Sequence, residues 1–255
     1  RYTVELPSFS TTFPAARYVS RGAEMSTVME IPNSGLEDAI RTRRSIRRYL
    51  QTPVPHELVV RLLELAAQSP SNSNTQPWNV YVVTGCTKET LGTEIVDAYQ
   101  HQRQDHLEEY ANDSATPLEP YHSRRRDFGG RYYGRLHIEY SENAQRHAQI
   151  ARNFQFYGAP VGLIFTLRRE LGLGSWVDLG MFMQTLMLAA RSHGLDTCAQ
   201  VSFAKFHRII KARLHIQEAE IVVCGMALGY ADHAAPENEG WMPKLQAREF
   251  AHFFG

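Results

Sequence analysis

The sequence predicts an α+β fold (or α/β), a central sheet flanked by helices. Three observations predict it. Helical and strand-like segments are mixed along the chain, and the strand-like runs are short and far apart. Residues 175–192 are apolar almost all the way round, as expected for a helix buried against a sheet. No Gly-x-Gly-x-x-Gly follows a strand-like run, so a parallel dinucleotide-binding sheet has no support.

Residues 1–24 stand apart: the first 23 hold Ser, Thr, Pro and Arg but one acid, Glu5, and show no helical periodicity. They are expected to be a disordered leader outside the fold, leaving residues 25–255 as one domain. Residues 36–42 predict a helix, with Ser34 as its cap and Glu37 three residues on. Pro53 and Pro55 mark an extended link. Residues 56–68 carry Leu58, Val59, Leu62, Leu63, Leu65 and Ala66 at helical spacing, and Pro70 stops that helix. A polar loop over 71–78 leads into a β-branched and aromatic strand over 79–84, then a helix over 87–104.

Residues 105–140 are polar, aromatic, poorly periodic and rich in Pro, Gly and Arg; so long a stretch inside a domain predicts a lid or binding excursion. A helix over 141–156 and a strand over 159–167 follow. The apolar helix 175–192 opens on a second capping box, Ser175 with Asp178, and Gly194 sits where a helix C-cap belongs. Residues 196–201 read as a loop or short strand, 203–214 as a helix and 220–228 as an apolar strand.

Composition narrows the function. Lys plus Arg and Asp plus Glu both number 27, which argues against a general nucleic-acid binder. Cys86, Cys198 and Cys224 are scattered with no CxxC spacing, which argues against a disulfide framework or zinc site and for a reducing, cytoplasmic compartment. No apolar run reaches the roughly 18–20 residues of a membrane span. His101, His106, His122, His137 and His147 form no metal or catalytic set and are expected at the surface.

Three segments carry candidate chemistry. Arg43, Arg44, Ser45 and Arg47 offer guanidinium forks and a hydroxyl suited to a phosphate monoester, although charge runs are commonly just solvated. The loop Pro70-Ser71-Asn72-Ser73-Asn74-Thr75-Gln76-Pro77-Trp78 offers donors and acceptors that can read the polar edge of a flat ring, or simply turns the chain. Gly194-Leu195-Asp196-Thr197-Cys198-Ala199-Gln200 and Val223-Cys224-Gly225-Met226-Ala227-Leu228-Gly229-Tyr230, taken singly, read as a helix end and a buried strand.

Together, in this order and spacing, these segments resemble the FMN-dependent nitroreductase family from about Leu36 to Phe254. The Arg124-Arg125-Arg126 excursion and Ala-Arg-Asn-Phe-Gln-Phe-Tyr-Gly-Ala-Pro over 151–160 are most similar to its nitrobenzoate reductase branch. The resemblance implies a mostly antiparallel sheet with a lid, in an intertwined homodimer. It implies FMN as cofactor, NAD(P)H as reductant, hydride transfer through flavin N5 in ping-pong order, and an aromatic or conjugated acceptor such as a nitroaromatic compound. Arg43, Arg44, Ser45 and Arg47 would hold the phosphate and ribityl chain. Ser71, Ser73 and Asn74 would reach the flavin, from the partner subunit. The backbone of Ala199, Gln200 and Val201 would face it. Lys244 stands where the family places a phosphate-reaching Arg, with Arg248 as the alternative; Lys can act there only as a point charge. Arg43 and Arg47 are the candidate donors near flavin N1 and O2. In the lid, Arg124 would pair with a substrate's anionic group and Tyr132 would stack on its ring. A related flavin reductase, dehydrogenase or reductive dehalogenase, a flavin store and a protein-interaction module are the alternatives.

Overall fold

The computed structural model describes residues 35–112 and 116–255. The expected leader over 1–24 and the Ser34 cap lie outside the described residues. Four strands form one antiparallel sheet in the order β1-β2-β4-β3: β1 (Asn79–Thr84), β2 (Val161–Arg168), β3 (Asp196–Gln200) and β4 (Glu220–Gly229). The seven helices described are α1 (Gly35–Thr42), α2 (His56–Ala66), α3 (Gly85–His101), α4 (Tyr121–Arg135), α5 (Asn143–Phe154), α6 (Gly174–Ser192) and α7 (His207–Leu214).

The central strands β2 and β4 are buried on both faces, so they read as unbroken apolar runs rather than alternating ones. Side-chain alternation divides the core between the faces. Leu163, Phe165, Met226 and Leu228 pack with Leu62 of α2 and Phe182 and Leu186 of α6. Ile164, Val222 and Ala227 pack with Leu91 and Ile95 of α3, Phe154 of α5 and Ile210 of α7. On that second face Gly162 and Gly225 stand where side chains would otherwise be. A Cβ at Gly162 would come within 2.6 Å of the Phe156 ring, and one at Gly225 within 2.7 Å of the Phe203 ring. Phe156 and Phe203 stack on each other over this strip, centroids 4.6 Å apart. Gly225→Ala is therefore expected to destabilise the chain by about 1–3 kcal/mol, the usual cost of overpacking, measured by urea unfolding. Wild-type stability in that variant would show that Phe203 is free to move.

Several expectations change. The segment 105–140 contains a fifteen-residue helix, α4. Its only buried residue is Tyr132, so no apolar stripe betrayed it. Ser175 and Asp178 do not cap α6: that helix begins at Gly174 without a side-chain cap. The buried Asp178 carboxylate instead accepts the Asn72 N–H, 3.2 Å away, and ties the 71–78 loop to α6. The segment 203–214 is a 3₁₀ turn, Val201–Phe206, followed by α7. His106 is buried against Phe206, ring centroids 5.0 Å apart, rather than at the surface. Gly194 has φ +74°, the left-handed geometry expected of a C-cap.

α6 was expected to be buried all round. It buries Leu179, Phe182, Leu186 and Ala190 but leaves Val177 64% exposed and Met181, Met183 and Met187 half-covered. The sheet and its neighbouring helices cover one side of it only. No described helix is long and apolar enough to cross a membrane.

Candidate active site

The basic segment after α1 does not continue the helix. It runs extended beside β3, with Ser45 bridged in parallel to Thr197 and the Ile46 N–H donating to the Thr197 carbonyl at 3.1 Å. Ile46 plugs the core, so its neighbours Ser45 and Arg47 are turned to the other side. Asn238, itself buried, locks this backbone from the C-terminal side. Its Oδ1 accepts the Arg47 N–H at 2.7 Å, and its Nδ2 donates to the Arg48 and Asp232 carbonyls, both at 2.8 Å.

The result is a cavity of about 540 Å³, within the ordinary range of small-molecule sites. Arg43, Arg44, Ser45, Arg47 and Lys244 all line it. So do Phe128 and Arg135 of α4 and the loop from Glu237 to Met242, including Trp241. Arg248 does not line it. Six basic side chains face two acidic ones here. Glu237 is already paired with Arg152 and Arg41 with Glu37. Among the described residues no carboxylate pairs with Arg43, Arg47, Arg135 or Lys244.

The cations differ in how they are held. Arg44 donates from Nη1 to the Asn238 and Gly240 carbonyls, both at 3.0 Å, and lies 4.7 Å above the Trp241 ring, so part of its fork secures the 238–241 loop. The half-buried Arg47 lies over the rings of Phe128 and Tyr132, at 5.1 and 5.0 Å, with the Tyr157 hydroxyl beside it. A partly desolvated guanidinium facing only aromatic and neutral groups lacks a counter-charge. Together with Arg43 and Lys244 it fits an anionic ligand such as a flavin phosphate.

β3 adjoins this cavity through the Ser45–Thr197 bridge, and its end and the residue past it, Ala199, Gln200 and Val201, do not line the cavity themselves. Ala199 and Val201 are exposed, whereas Gln200 turns inward, its Nε2 donating to the Asn153 carbonyl at 2.6 Å. The Gln200 side chain thus anchors the loop and leaves backbone to face outward. Ser71, Ser73 and Asn74 lie elsewhere, on an exposed loop; Ser73 and Asn74 have φ of 50° and 56°, and the Ser71 Oγ accepts the Gln76 N–H at 3.0 Å. The structure does not bring them to the cavity of their own chain.

Of the expected substrate residues, Tyr132 is 5% exposed, its hydroxyl accepting from Gln149 Nε2 at 2.6 Å, and it does not line the cavity but backs two residues that do, Arg47 and Phe128. Arg124 is exposed, with its guanidinium 5.6 Å from the Tyr121 ring, and does not line the cavity. Among the lining residues that the sequence did not reveal are Phe128, Arg135, Asn238 and Trp241; they come together only through the tertiary fold.

Other chemistry finds no support here. Burial pushes the Cys198 and Cys224 thiols up, the latter to about 12, so neither is a ready thiolate nucleophile. Among the described residues no group of His, Cys, Asp and Glu could hold a metal.

An antiparallel sheet between helix layers, with an anion-seeking cavity beside the strand that follows the apolar helix, is the architecture of a known class. Residues 40–230 match the nitroreductase family, and the chain belongs to that family. It is 41% identical over 227 residues to the 4-nitrobenzoate reductase of Pseudomonas putida, covering 89% of this chain and 99% of that one. It is 40% identical to the nitrobenzene nitroreductase of Ectopseudomonas oleovorans, covering 86% and 96%. Among solved structures, the FMN- and NADPH-dependent nitroreductase NfnB of Sphigopyxis sp. strain HMH superposes with a TM-score of 0.84 at 32% identity, over 86% of this chain and 99% of that one. The FMN-dependent NfnB of Mycobacterium smegmatis, solved with NADPH, gives 0.82 at 29% identity, over 87% and 98%.

Proposed function

We propose that this chain is an FMN-dependent NAD(P)H oxidoreductase that reduces nitroaromatic compounds and works as a homodimer in a reducing cytoplasm. The observation that carries this is the cluster of uncompensated cations, Arg43, Arg47 and Lys244, in a cavity beside the 199–201 segment. The relatives act on such compounds, and the matching structures use FMN and NADPH. Residues 25–255 form one flavin-binding domain in this reading, with 105–140 as its lid.

When bound, FMN supplies a two-electron relay from nicotinamide to nitro group. The chain's own part is binding and orientation. Arg43 and Lys244 place charge for the phosphate, with Ser45 beside them as donor. Arg44 holds the 238–241 loop as the wall of the site. Arg47 supplies a fixed positive charge that needs no reorganisation when negative charge develops. Ala199, Gln200 and Val201 present backbone. Ser71, Ser73 and Asn74 serve the second subunit's site, which accounts for their distance from the cavity of their own chain. The open flank of α6 is then covered by the partner.

The reading is tested by steady-state rates with NADH or NADPH and 4-nitrobenzoate. Parallel double-reciprocal lines are expected; a chain loaded with FMN that leaves the nitro group untouched would refute it. Since Arg135 lines the cavity and Arg124 does not, Arg135→Ala is expected to erase any preference for nitrobenzoate over nitrobenzene. Arg124→Ala is expected to leave that preference intact. The reverse ranking would return the carboxylate-pairing role to Arg124.

A further inference from the structure

Among the described residues no carboxylate holds Arg47, and an arginine side chain has about 2 kcal/mol of rotamer freedom to lose. Three residues nevertheless link its two ends in a closed ring of contacts. Its carbonyl accepts from Arg152 Nη2 at 3.4 Å. Arg152 Nη1 donates to Gln149 Oε1 at 3.3 Å, and Gln149 Nε2 donates to the Tyr132 hydroxyl at 2.6 Å. The Tyr132 ring lies 5.0 Å from the Arg47 guanidinium, which closes the circle.

The directions in this ring are fixed by chemistry. Arginine only donates, so the Gln149 oxygen must face Arg152 and its amide nitrogen must face Tyr132. The charge of Arg152 is balanced by Glu237, so Arg152 adds no uncompensated cation to the cavity. Gln149 is 9% exposed and does not line the cavity. Glutamine at a buried helix position, satisfied by two long side chains from different elements, is costly unless the pairing is complete. We propose that Gln149 and Arg152 are positioning residues. Through Tyr132 and the Arg47 carbonyl they hold the Arg47 guanidinium toward the cavity, and thereby set the site's affinity for its anionic flavin. This rests on the functional reading above.

The test is FMN titration of the flavin-stripped full chain, followed by quenching of flavin fluorescence, at several salt concentrations. The chains compared are wild type, Arg47→Ala, Gln149→Leu and the double variant. Gln149→Leu is expected to weaken FMN binding about two- to tenfold, the equivalent of one net hydrogen bond. In the Arg47→Ala background the same change is expected to add less than about twofold, because the two act through one contact. Both single variants are expected to flatten the fall of affinity with salt, the signature of a lost charge contact. Tyr132→Phe keeps the ring and loses only the hydroxyl, so it gives the same pattern with little risk to folding.

Additive effects in the double variant, or a salt slope that only Arg47→Ala changes, would overturn the proposal while leaving the enzyme a flavoprotein. Unchanged affinity in Arg47→Ala would overturn it as well. A wild-type chain that takes up no FMN would refute the functional reading, and this inference with it.

Discussion

Replacing Glu109 with Ala is expected to lower the unfolding free energy by about 3–5 kcal/mol, the range for removing one partner of a buried ion pair. The Glu109 carboxylate, 10% exposed, lies 3.0 Å from Lys211 Nζ and 3.3 Å from His207 Nδ1. It also pairs with Arg169 and accepts the Val222 N–H at 3.4 Å. It joins the start of the 105–140 segment to α7 and β4. The Lys211 side chain is 3% exposed, and without Glu109 its nearest acid is Glu218, 3.4 Å away and 89% exposed. Adding Lys211→Met should recover most of the loss, because it removes the stranded charge. Urea unfolding of the three chains measures this; an equal loss in the double variant would show that the cost is cavity formation instead.

The same cluster sets a pH dependence. Burial would raise the Glu109 carboxyl, but the hydrogen bonds from Arg169 and Lys211 and the nearby His207 outweigh it and hold it below its ordinary 4.5. Burial holds His207 below its ordinary 6.5 despite Glu109. Both groups bind fewer protons folded than unfolded. Their stabilisation is complete above the unfolded values and is lost as pH falls, the His207 share from about 6.5 downward and the Glu109 share from about 4.5. Wild type should therefore weaken on the acid side, and Glu109→Ala should show a shallower decline below about 4.5.

Replacing Arg43 with Ala is expected to weaken FMN binding by about one to two decades, since a hydrogen bond to a charged group contributes about 1.5–3 kcal/mol. Arg43 lines the cavity and has no ion-pair partner among the described residues, so its loss strands no other group. It lies just past the end of α1, half-exposed, and the unfolding midpoint of the flavin-free chain should hardly move. Unchanged FMN affinity would remove Arg43 from the site. Lys244→Ala is expected to cost less, because an ammonium meets phosphate as a point charge without Arg's paired geometry.

Much of this is legible in the sequence, for identifiable reasons. Residues 79–84 announce β1 because β-branched and aromatic residues crowd a run bounded by turn signals. The bounds of α2 are visible because Pro55 and Pro70 bracket a clean helical spacing. The basic segment stands out because four residues of phosphate-binding type, three Arg and one Ser, fall within five positions, and all four line one cavity. Helix α4 stayed hidden because it touches the rest of the fold through a few aromatic rings and Arg135, while Arg124, Arg125, Arg126 and Arg131 are exposed. Asn238 and Trp241 were invisible because they meet Arg47 and Arg44 across about 190 residues of chain, and nothing local marks a long-range pairing. Ser175 and Asp178 had the spacing of a capping box, but Asp178 forms a tertiary bond to Asn72 that local pattern cannot foresee. Gly162 and Gly225 carried a usable hint: glycine inside an apolar strand marks close approach by something bulky, here Phe156 and Phe203.

In this reading the cation-lined cavity is a flavin site serving nitroaromatic reduction. Its most direct test is the visible spectrum of the purified chain, loaded with FMN and free of oxygen, through one turnover. A yellow protein is expected, its visible absorption bleached by NADH or NADPH and restored by 4-nitrobenzoate, with the released flavin being FMN. A colourless chain that cannot be loaded, an adenine-containing flavin, or a bleached protein that 4-nitrobenzoate leaves bleached would contradict it.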